Sequence, residues 1–222
     1  MPRPEGTGAA AVFLSGEQVA LVALELERVG GEQGLRNRTI WQLAVSLNFR
    51  AGEVLSLRVG DVWWVDGGKP YDQVAIDCTR TKTKQSREVE LDPHGQGVLV
   101  RWMGARGKVS PASWLFPSSQ RPDQPVSYKQ YEKQLVKVGR ALGIPRLRSH
   151  SARKSGANLC RRLGFDLEQI RESLGHSSLQ ETRHYLGADR DERAEMAQAK
   201  GRYLRQCEER IQPPLQSLPD PV

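Results

Sequence analysis

Six side chains in this 222-residue sequence could together transfer a phosphoryl group. A tyrosine hydroxyl can attack a phosphodiester and hold the phosphate covalently, which retains the energy of the broken bond. Arginine forks can neutralise the phosphate oxygens as negative charge rises, while histidine and lysine can move protons at the attacking and leaving oxygens. The six candidates, in chain order, are Arg50, Lys82, His150, Arg153, His176 and Tyr185.

Taken singly, each candidate has an ordinary structural explanation. An isolated arginine is usually a solvated surface charge. A histidine that follows a glycine, as His176 does, usually caps a helix, and a lone tyrosine such as Tyr185 usually packs with its hydroxyl bonded. Arg50 is less typical of a surface, because it lies in an apolar stretch and Glu53 follows three residues later. The order and spacing of the set therefore carry more information than any one member.

This order and spacing resembles the catalytic domain of the tyrosine recombinase (phage integrase) family. The resemblance extends over about residues 15 to 200, nearly the whole sequence. It rests on four motifs in the family's order. Residues 50–53 match an RxxE-type box and residues 81–91 a strand–turn–strand lysine motif. Residues 150–153 match an HxxR box, and residues 174–176 with Tyr185 match an LGH motif with a later tyrosine.

The resemblance implies a role for each residue that matches a motif. Tyr185 would attack the scissile phosphate, form a 3′-phosphotyrosine link and release a 5′ hydroxyl. Lys82 would be the acid that protonates the 5′ oxygen, since its distance from Arg87 along the sequence fits the motif. Lys84 is a competing candidate for that acid, and Glu53 would orient the site from behind the residues that touch the phosphate.

The remaining matches would bind the phosphate itself. Arg50 and Arg153 would clamp it, and His176 would donate a further hydrogen bond to it. His150 would act as a base or as a phosphate ligand. The resemblance implies no metal ion and no cofactor, because the covalent intermediate conserves the bond energy. The sequence agrees, since it contains no Walker motif and no Cys/His cluster with metal-ligand spacing.

The activity implied by the resemblance is site-specific recombination of duplex DNA, as integration, excision, inversion or resolution. A tetramer on DNA, monomeric or weakly associated without it, is the expected assembly, and accessory DNA-bending proteins are further candidate partners. Two alternatives stay open, a non-catalytic DNA-binding or regulatory protein on the same fold and a type IB-like topoisomerase. The complete set of six candidates argues against the first alternative, because a decayed site should have lost at least one member.

The charge of the chain is consistent with a DNA partner. The formal net charge is +7, and residues 146–183 contain eight Lys or Arg against four Asp or Glu. Cations that contact the DNA backbone bind it largely without regard to sequence. The predicted DNA-binding residues outside the six candidates are Lys84, Arg87, Arg146, Arg148 and Lys154.

The composition indicates a protein of the cytoplasm, associated with the nucleoid. No apolar stretch approaches the roughly 18 residues that a membrane span needs. The three cysteines, Cys78, Cys160 and Cys207, are widely spaced and form neither a disulfide framework nor a zinc pattern. They are expected to be reduced thiols.

The elements that must position the candidates are mainly helices. Ser15 followed by Gln18 predicts a capping box at the start of the first helix. Alternating residues at 62–65, 73–78 and 87–91 predict strands. The expected fold class is mainly α with a small three-stranded antiparallel sheet (α+β), like a tyrosine recombinase catalytic domain.

Four segments are expected along the chain. Residues 1–14 are interpreted as a flexible lead-in, and 15–188 as the catalytic domain. Residues 189–210 are predicted to be a C-terminal helix that could dock on a neighbouring subunit, and 211–222 a proline-rich tail. Most family members have a separate helical core-binding domain before the catalytic one. The expectation here is a short form without it, similar to the fimbrial-switch invertases.

Overall fold

A computed structural model describes residues 12–76, 86–186 and 188–211 of the chain. Most of the predicted lead-in and the proline-rich tail lie outside the described residues, and so do Cys78 and the two lysine candidates, Lys82 and Lys84. The chain divides into two compact units, one ending at Thr182 and the other beginning at Arg183.

The described residues are mostly helical. The ten helices are α1 (Gly16–Glu27), α2 (Gly31–Ser46), α3 (Ala51–Leu55), α4 (Val59–Val62), α5 (Pro93–Arg106), α6 (Tyr128–Ala141), α7 (Ser149–Arg162), α8 (Leu167–Leu174), α9 (Leu179–Leu186) and α10 (Ala188–Ile211). None of the helices in the described ranges is long and apolar enough to span a bilayer.

Short polar side chains start several of these helices. The Ser15 hydroxyl accepts from the Gln18 backbone N–H at 3.3 Å, and the Gln18 side chain accepts from the Ser15 N–H at 3.0 Å. The predicted capping box is therefore confirmed. Ser127 and Asp166 start α6 and α8 with capping boxes of the same kind, and the Asp92 side chain caps α5. Each cap satisfies a backbone donor that the first turn of a helix leaves without a partner.

The described residues also contain four short strands, which confirms the predicted class of a mainly helical protein with small antiparallel sheets. They are β1 (Trp63–Trp64), β2 (Lys69–Pro70), β3 (Gln73–Ile76) and β4 (Arg87–Glu90). Within the described residues they form two two-stranded sheets, β1–β2 and β3–β4, instead of the expected single three-stranded sheet. The reason is a tight turn before β2, where Gly68 adopts φ +62° and folds the chain back onto β1.

Helix α2 lies at the centre of the first unit and packs against α1, α5 and α7. Trp41 of α2 and Trp102 of α5 are fully buried, and their indole N–H groups donate to backbone carbonyls at 3.1 and 2.9 Å. Helix α7 approaches α2 so closely at Gly156 that a Cβ there would collide with the Val45 carbonyl. This close contact fixes the position of α7 relative to the loop that follows α2.

Candidate active site

The candidate site is built around a buried carboxylate, that of Glu53 on α3. Arg50 immediately precedes α3, and its backbone N–H donates to Glu53 Oε2 at 2.7 Å. The Arg50 guanidinium donates to Oε1 of the same carboxylate at 3.0 Å. Glu53 therefore caps the helix and holds the Arg50 side chain at the same time.

Two further arginines from distant parts of the chain reach the same carboxylate. Arg87 of β4 donates to Glu53 Oε2 at 2.8 Å, and Nη1 of Arg153 on α7 lies 3.8 Å from it. The three side chains are nearly inaccessible, with 8%, 3% and 2% exposure for Arg87, Glu53 and Arg153. The Arg87 guanidinium also stacks over the Phe49 ring at 4.7 Å. The fold thus gathers three guanidinium groups, those of Arg50, Arg87 and Arg153, around one anion.

The Glu53 carboxylate is held in its ionised form. Burial alone would raise the pKa of Glu53, but the charge of Arg87, the Arg50 backbone N–H and the charge of Arg153 outweigh it. The net result is a pKa below the usual value for glutamate. Removing one partner of such a buried pair usually costs about 3–5 kcal/mol, because an uncompensated charge remains.

Two backbone carbonyls fix the fork of Arg153. Its Nη1 donates to the Asn48 carbonyl at 2.8 Å, and its Nη2 donates to the Leu174 carbonyl at 2.7 Å. Asn48 adopts φ +52°, a left-handed conformation that asparagine tolerates better than most residues. The Leu174 carbonyl also accepts from Arg87 Nη1 at 3.2 Å. The arginine of the HxxR motif is therefore held rigidly at the end of α8.

His176 lies just past the end of α8. Gly175 adopts φ +62°, and this left-handed residue turns the chain so that the His176 N–H donates to the Arg171 carbonyl at 3.1 Å. The imidazole is buried, with Nδ1 at 3.1 Å from the Thr182 hydroxyl and Nε2 at 3.8 Å from Glu181 Oε1. The glycine of the LGH motif is thus the residue that directs the histidine inward.

The imidazole of His176 is neutral at neutral pH. Burial lowers its pKa most, and the charges of Arg153, Arg50 and Arg87 lower it further, while Glu181 opposes them. The resulting pKa is about 4, compared with about 6.5 for an unperturbed histidine. The shift shows that the arginine cluster produces a positive potential at the imidazole.

This shift predicts that acid destabilises the protein through His176. Between pH 6.5 and pH 4 the unfolded chain binds a proton at this residue that the folded chain excludes, so stability falls as pH is lowered. His176→Gln should reduce the slope of the unfolding free energy against pH by up to about 1.4 kcal/mol per pH unit in that window. Urea unfolding at several pH values would measure the slope. Exposed His184→Gln is the matched control, and equal slopes for His176→Gln and wild type would refute the prediction.

The other predicted catalytic residues lie in different surroundings. His150 is exposed on the first turn of α7, one turn before Arg153. Tyr185 is the penultimate residue of α9, nine positions after His176, and belongs to the second unit. The structure therefore brings together Arg50, Glu53, Arg153 and His176. The acid role of Lys82 or Lys84 stays a prediction, because both residues lie outside the described ranges.

The predicted DNA-binding residues also differ from one another. Arg146 and Arg148 are exposed just before α7, and Arg146 adopts φ +66°. Lys154 is half-buried, with its ammonium 6.0 Å from the centre of the Phe13 ring. Arg87 is buried against Glu53, as Arg153 is, and its predicted contact with DNA stays a prediction. We interpret Arg87 as a residue that positions Glu53.

Three contributors to the site did not emerge from the sequence. They are the carbonyls of Asn48 and Leu174, which hold Arg153, and the hydroxyl of Thr182, which orients His176. Backbone acceptors have no signature in residue type. Only Asn48 offered a signal, since an asparagine just after the end of a helix is typical of a left-handed turn.

Comparison of the sequence with known proteins gives consistent matches. The model of the phage integrase family matches residues 13–192. An integrase of Mycobacterium phage D29 is 25% identical over 187 residues, which cover 78% of this chain and 49% of that protein. The tyrosine recombinase XerC of Chromobacterium violaceum is 29% identical over 175 residues, which cover 74% of this chain and 52% of the relative. The chain thus spans about half the length of these relatives.

Solved structures share the fold. The XerH site-specific recombinase, bound to a palindromic difH substrate in a post-cleavage complex, superposes with a TM-score of 0.67 at 23% identity, covering 83% of this chain and 51% of that one. The XerA recombinase gives a TM-score of 0.66 at 20% identity, covering 89% of this chain and 66% of that one. At these identities the likeness concerns the fold.

Proposed function

The chain belongs to the phage integrase family, and from this membership we propose that it is a site-specific recombinase that cleaves and rejoins duplex DNA through a 3′-phosphotyrosine intermediate. The observation that carries the proposal is the convergence of Arg50, Arg87 and Arg153 on buried Glu53, next to a neutral His176. Rigid guanidinium forks in a buried setting suit a phosphate whose charge grows in the transition state. Relatives named integrase and tyrosine recombinase support the same activity.

In the proposed reaction the Tyr185 oxygen attacks the scissile phosphorus while the bond from phosphorus to the 5′ oxygen breaks. The tyrosine proton passes to His150, and the leaving 5′ oxygen takes a proton from Lys82. Arg50 and Arg153 bind the non-bridging oxygens. Attack by a 5′ hydroxyl on the phosphotyrosine reverses these steps and releases Tyr185, so no net bond energy is lost.

His176 donates the remaining hydrogen bond to the phosphate. This role requires the tautomer with the proton on Nε2, in which the Thr182 hydroxyl donates to Nδ1 at 3.1 Å in place of its longer 3.4 Å contact with the Ser178 carbonyl. A neutral imidazole adds no further charge to the cluster. Thr182 therefore positions His176.

The proposal extends to partners. Duplex DNA is the substrate, and several solved structures of similar fold carry DNA, among them the XerH and Tn1549 integrase complexes. We propose a tetramer on DNA, assisted by accessory DNA-bending proteins and located on the nucleoid. Arg146, Arg148 and Lys154 are the proposed backbone contacts, because they lie beside the HxxR helix.

Covalent trapping tests the proposal. Sheared, nicked DNA from the source organism is incubated with the protein, denatured, and examined for protein linked to DNA 3′ ends. Adducts should accumulate where a nick lies beside the cleaved bond, because the short fragment with the new 5′ hydroxyl then dissociates and cannot rejoin. We expect these adducts to be enriched in one DNA sequence. Relaxation of supercoils by the monomer would favour a topoisomerase. DNA binding without an adduct would favour a regulatory protein.

Separate substitution of the two lysine candidates tests which is the acid. Lys82→Ala should slow cleavage of nicked duplex by about 10²–10⁴-fold, the usual range for a general acid. Lys84→Ala is the matched control and should weaken DNA binding only slightly. A 5′-thio leaving group needs little protonation and should restore cleavage by Lys82→Ala. If Lys84→Ala is the inactive variant, the assignment by spacing is wrong.

A further inference from the structure

A polar pocket lies between α2, α6 and the segment 117–126, and none of its lining residues belongs to the Glu53 cluster. Its volume is about 270 Å³, below the range of roughly 300–1,000 Å³ typical of sites for drug-sized ligands. The side chains that define it are Arg36, Asn37, Ser119, Tyr131, Lys133 and Lys137. Its size suits a small hydrated ion.

Three buried side chains in this pocket have a polar atom without a hydrogen-bond partner. They are Nε of Arg36, Nδ2 of Asn37 and the hydroxyl of Tyr131, on residues that are 6%, 1% and 1% exposed. Buried polar atoms are nearly always hydrogen-bonded in folded proteins. Burial raises the pKa of Tyr131, so its hydroxyl stays protonated and can donate. Three residues that line one pocket thus each carry a buried donor that a ligand accepting several hydrogen bonds could satisfy.

The Arg36 guanidinium is held in place by neutral acceptors, and the nearby charge of Glu32 acts on it without forming an ion pair. Its Nη1 donates to the Pro117 carbonyl at 2.9 Å and to the Ser119 hydroxyl at 3.1 Å. No carboxylate of the described residues lies within 4.0 Å of it. Buried charges are usually paired, because an isolated charge is costly to remove from water. The immobilised fork with its free Nε is thus suited to an anion.

The surroundings of the pocket are also positive. Lys133 and Lys137, one turn apart on α6, line it with Arg36, and none of the described residues that line it is acidic. A second pocket of about 160 Å³ adjoins it, shares Lys133, and adds Arg121 and Lys129. Cations therefore continue from the buried pocket to the surface.

We propose that this pocket binds a phosphate group through Arg36, Asn37 and Tyr131, with Lys133 and Lys137 at its entrance. A tetrahedral oxyanion offers acceptors in several directions and matches the charge of the lining. The phosphate has two sources, a free phosphate or phosphate ester, and a phosphodiester of bound DNA. The second source rests on the proposed function, whereas the first does not.

Thermal unfolding in inorganic phosphate tests the pocket directly. Wild-type protein should gain about 3–6 °C in Tm at ten times the Kd for phosphate, relative to chloride at equal ionic strength. Tyr131→Phe should weaken phosphate binding roughly tenfold or more. The same variant should keep the Tm in chloride at or slightly above the wild-type value, because it removes a buried hydroxyl that makes no bond within the protein. A Tm loss in chloride would instead show a structural role for the hydroxyl and would count against the proposal.

Matched controls and a DNA arm separate the sources. Lys133→Gln with Lys137→Gln should abolish the phosphate effect, whereas exposed Lys108→Gln and Tyr71→Phe should retain it. If DNA supplies the phosphate, the double variant should also reduce the slope of log K for duplex binding against log salt by about 1. If wild type responds to phosphate but the double variant keeps the wild-type salt slope, the ligand is a free anion and not the DNA backbone.

The proposal is overturned if wild type responds to phosphate as to chloride and the salt slope of the double variant equals that of Lys108→Gln. Covalent trapping is an independent readout. A phosphate response without any adduct would support the pocket while refuting the recombinase function.

Discussion

Tyr185→Phe is expected to abolish covalent attachment to DNA. The variant lacks the only oxygen that the proposed reaction can link to the 3′ phosphate, and loss of a nucleophile in comparable enzymes costs on the order of 10⁴-fold or more. Labelled nicked duplex, resolved on a denaturing gel, should give an adduct with wild type and none with the variant. DNA binding should be retained, because phenylalanine keeps the ring and removes one hydroxyl.

Tyr203→Phe is the matched control. Tyr203 lies on α10 with 65% of its surface exposed, and its substitution should leave adduct yield at the wild-type level. Peptide mapping of the wild-type adduct should recover the phosphate on residue 185. An adduct that survives in Tyr185→Phe, or that maps to another tyrosine, would remove the basis of the assignment.

The second large effect is expected from Arg153→Lys. Lysine retains the positive charge but cannot span the Asn48 and Leu174 carbonyls and a phosphate with one planar fork. Cleavage of nicked duplex should slow by about 10²–10³-fold, the usual cost of removing one donor to a transition-state oxyanion. Because Arg153 is buried, stability should also fall, by roughly 1–3 kcal/mol.

Two measurements separate the chemical effect from the structural one. Urea unfolding gives the folded fraction, and single-turnover rates are compared on folded, DNA-saturated protein. Arg162→Lys, at the exposed end of the same helix, should leave both the rate and the stability unchanged. A folded Arg153→Lys variant that cleaves at the wild-type rate would show that Arg153 serves the fold and not the phosphate.

Helix starts could be predicted from the sequence because their causes are local. Ser15 and Gln18 satisfy each other's backbone donors within one turn, so the signal and the structure occupy the same four residues. Ser127 and Gln130 form the same capping box at α6, and the Asp92 side chain alone caps α5. The helix start predicted at Ser15 agrees with the structure for that reason.

Strand pairing and burial depend on contacts far apart in sequence and were less predictable. A turn at Gly68 pairs Lys69–Pro70 with Trp63–Trp64. The two residues after the turn have no pattern typical of a strand, so this pairing could not be predicted. The positive charge of Arg87 is typical of a surface residue. Its side chain is nevertheless buried, because it pairs with Glu53, which lies 34 residues earlier in the chain. Nothing in the residues around Arg87 indicates that partner.

The candidate site shows the same division. Arg50 and Glu53 are three residues apart, so the cause of their ion pair is local. Arg153 and His176 could be placed in the site only through the resemblance to a family. Their hydrogen-bond partners, Asn48 and Thr182, became evident only from the fold.

The buried position of Glu53 constrains how a gene for this protein could decay. Glu53 caps α3 and contacts three arginines, two of them buried, so we expect its loss to reduce solubility and protease resistance along with activity. His150 is exposed, and its loss should leave a folded protein that still occupies DNA. Inactivated copies that persist as silent DNA-binding competitors should therefore have lost His150 while retaining Glu53 and Arg153.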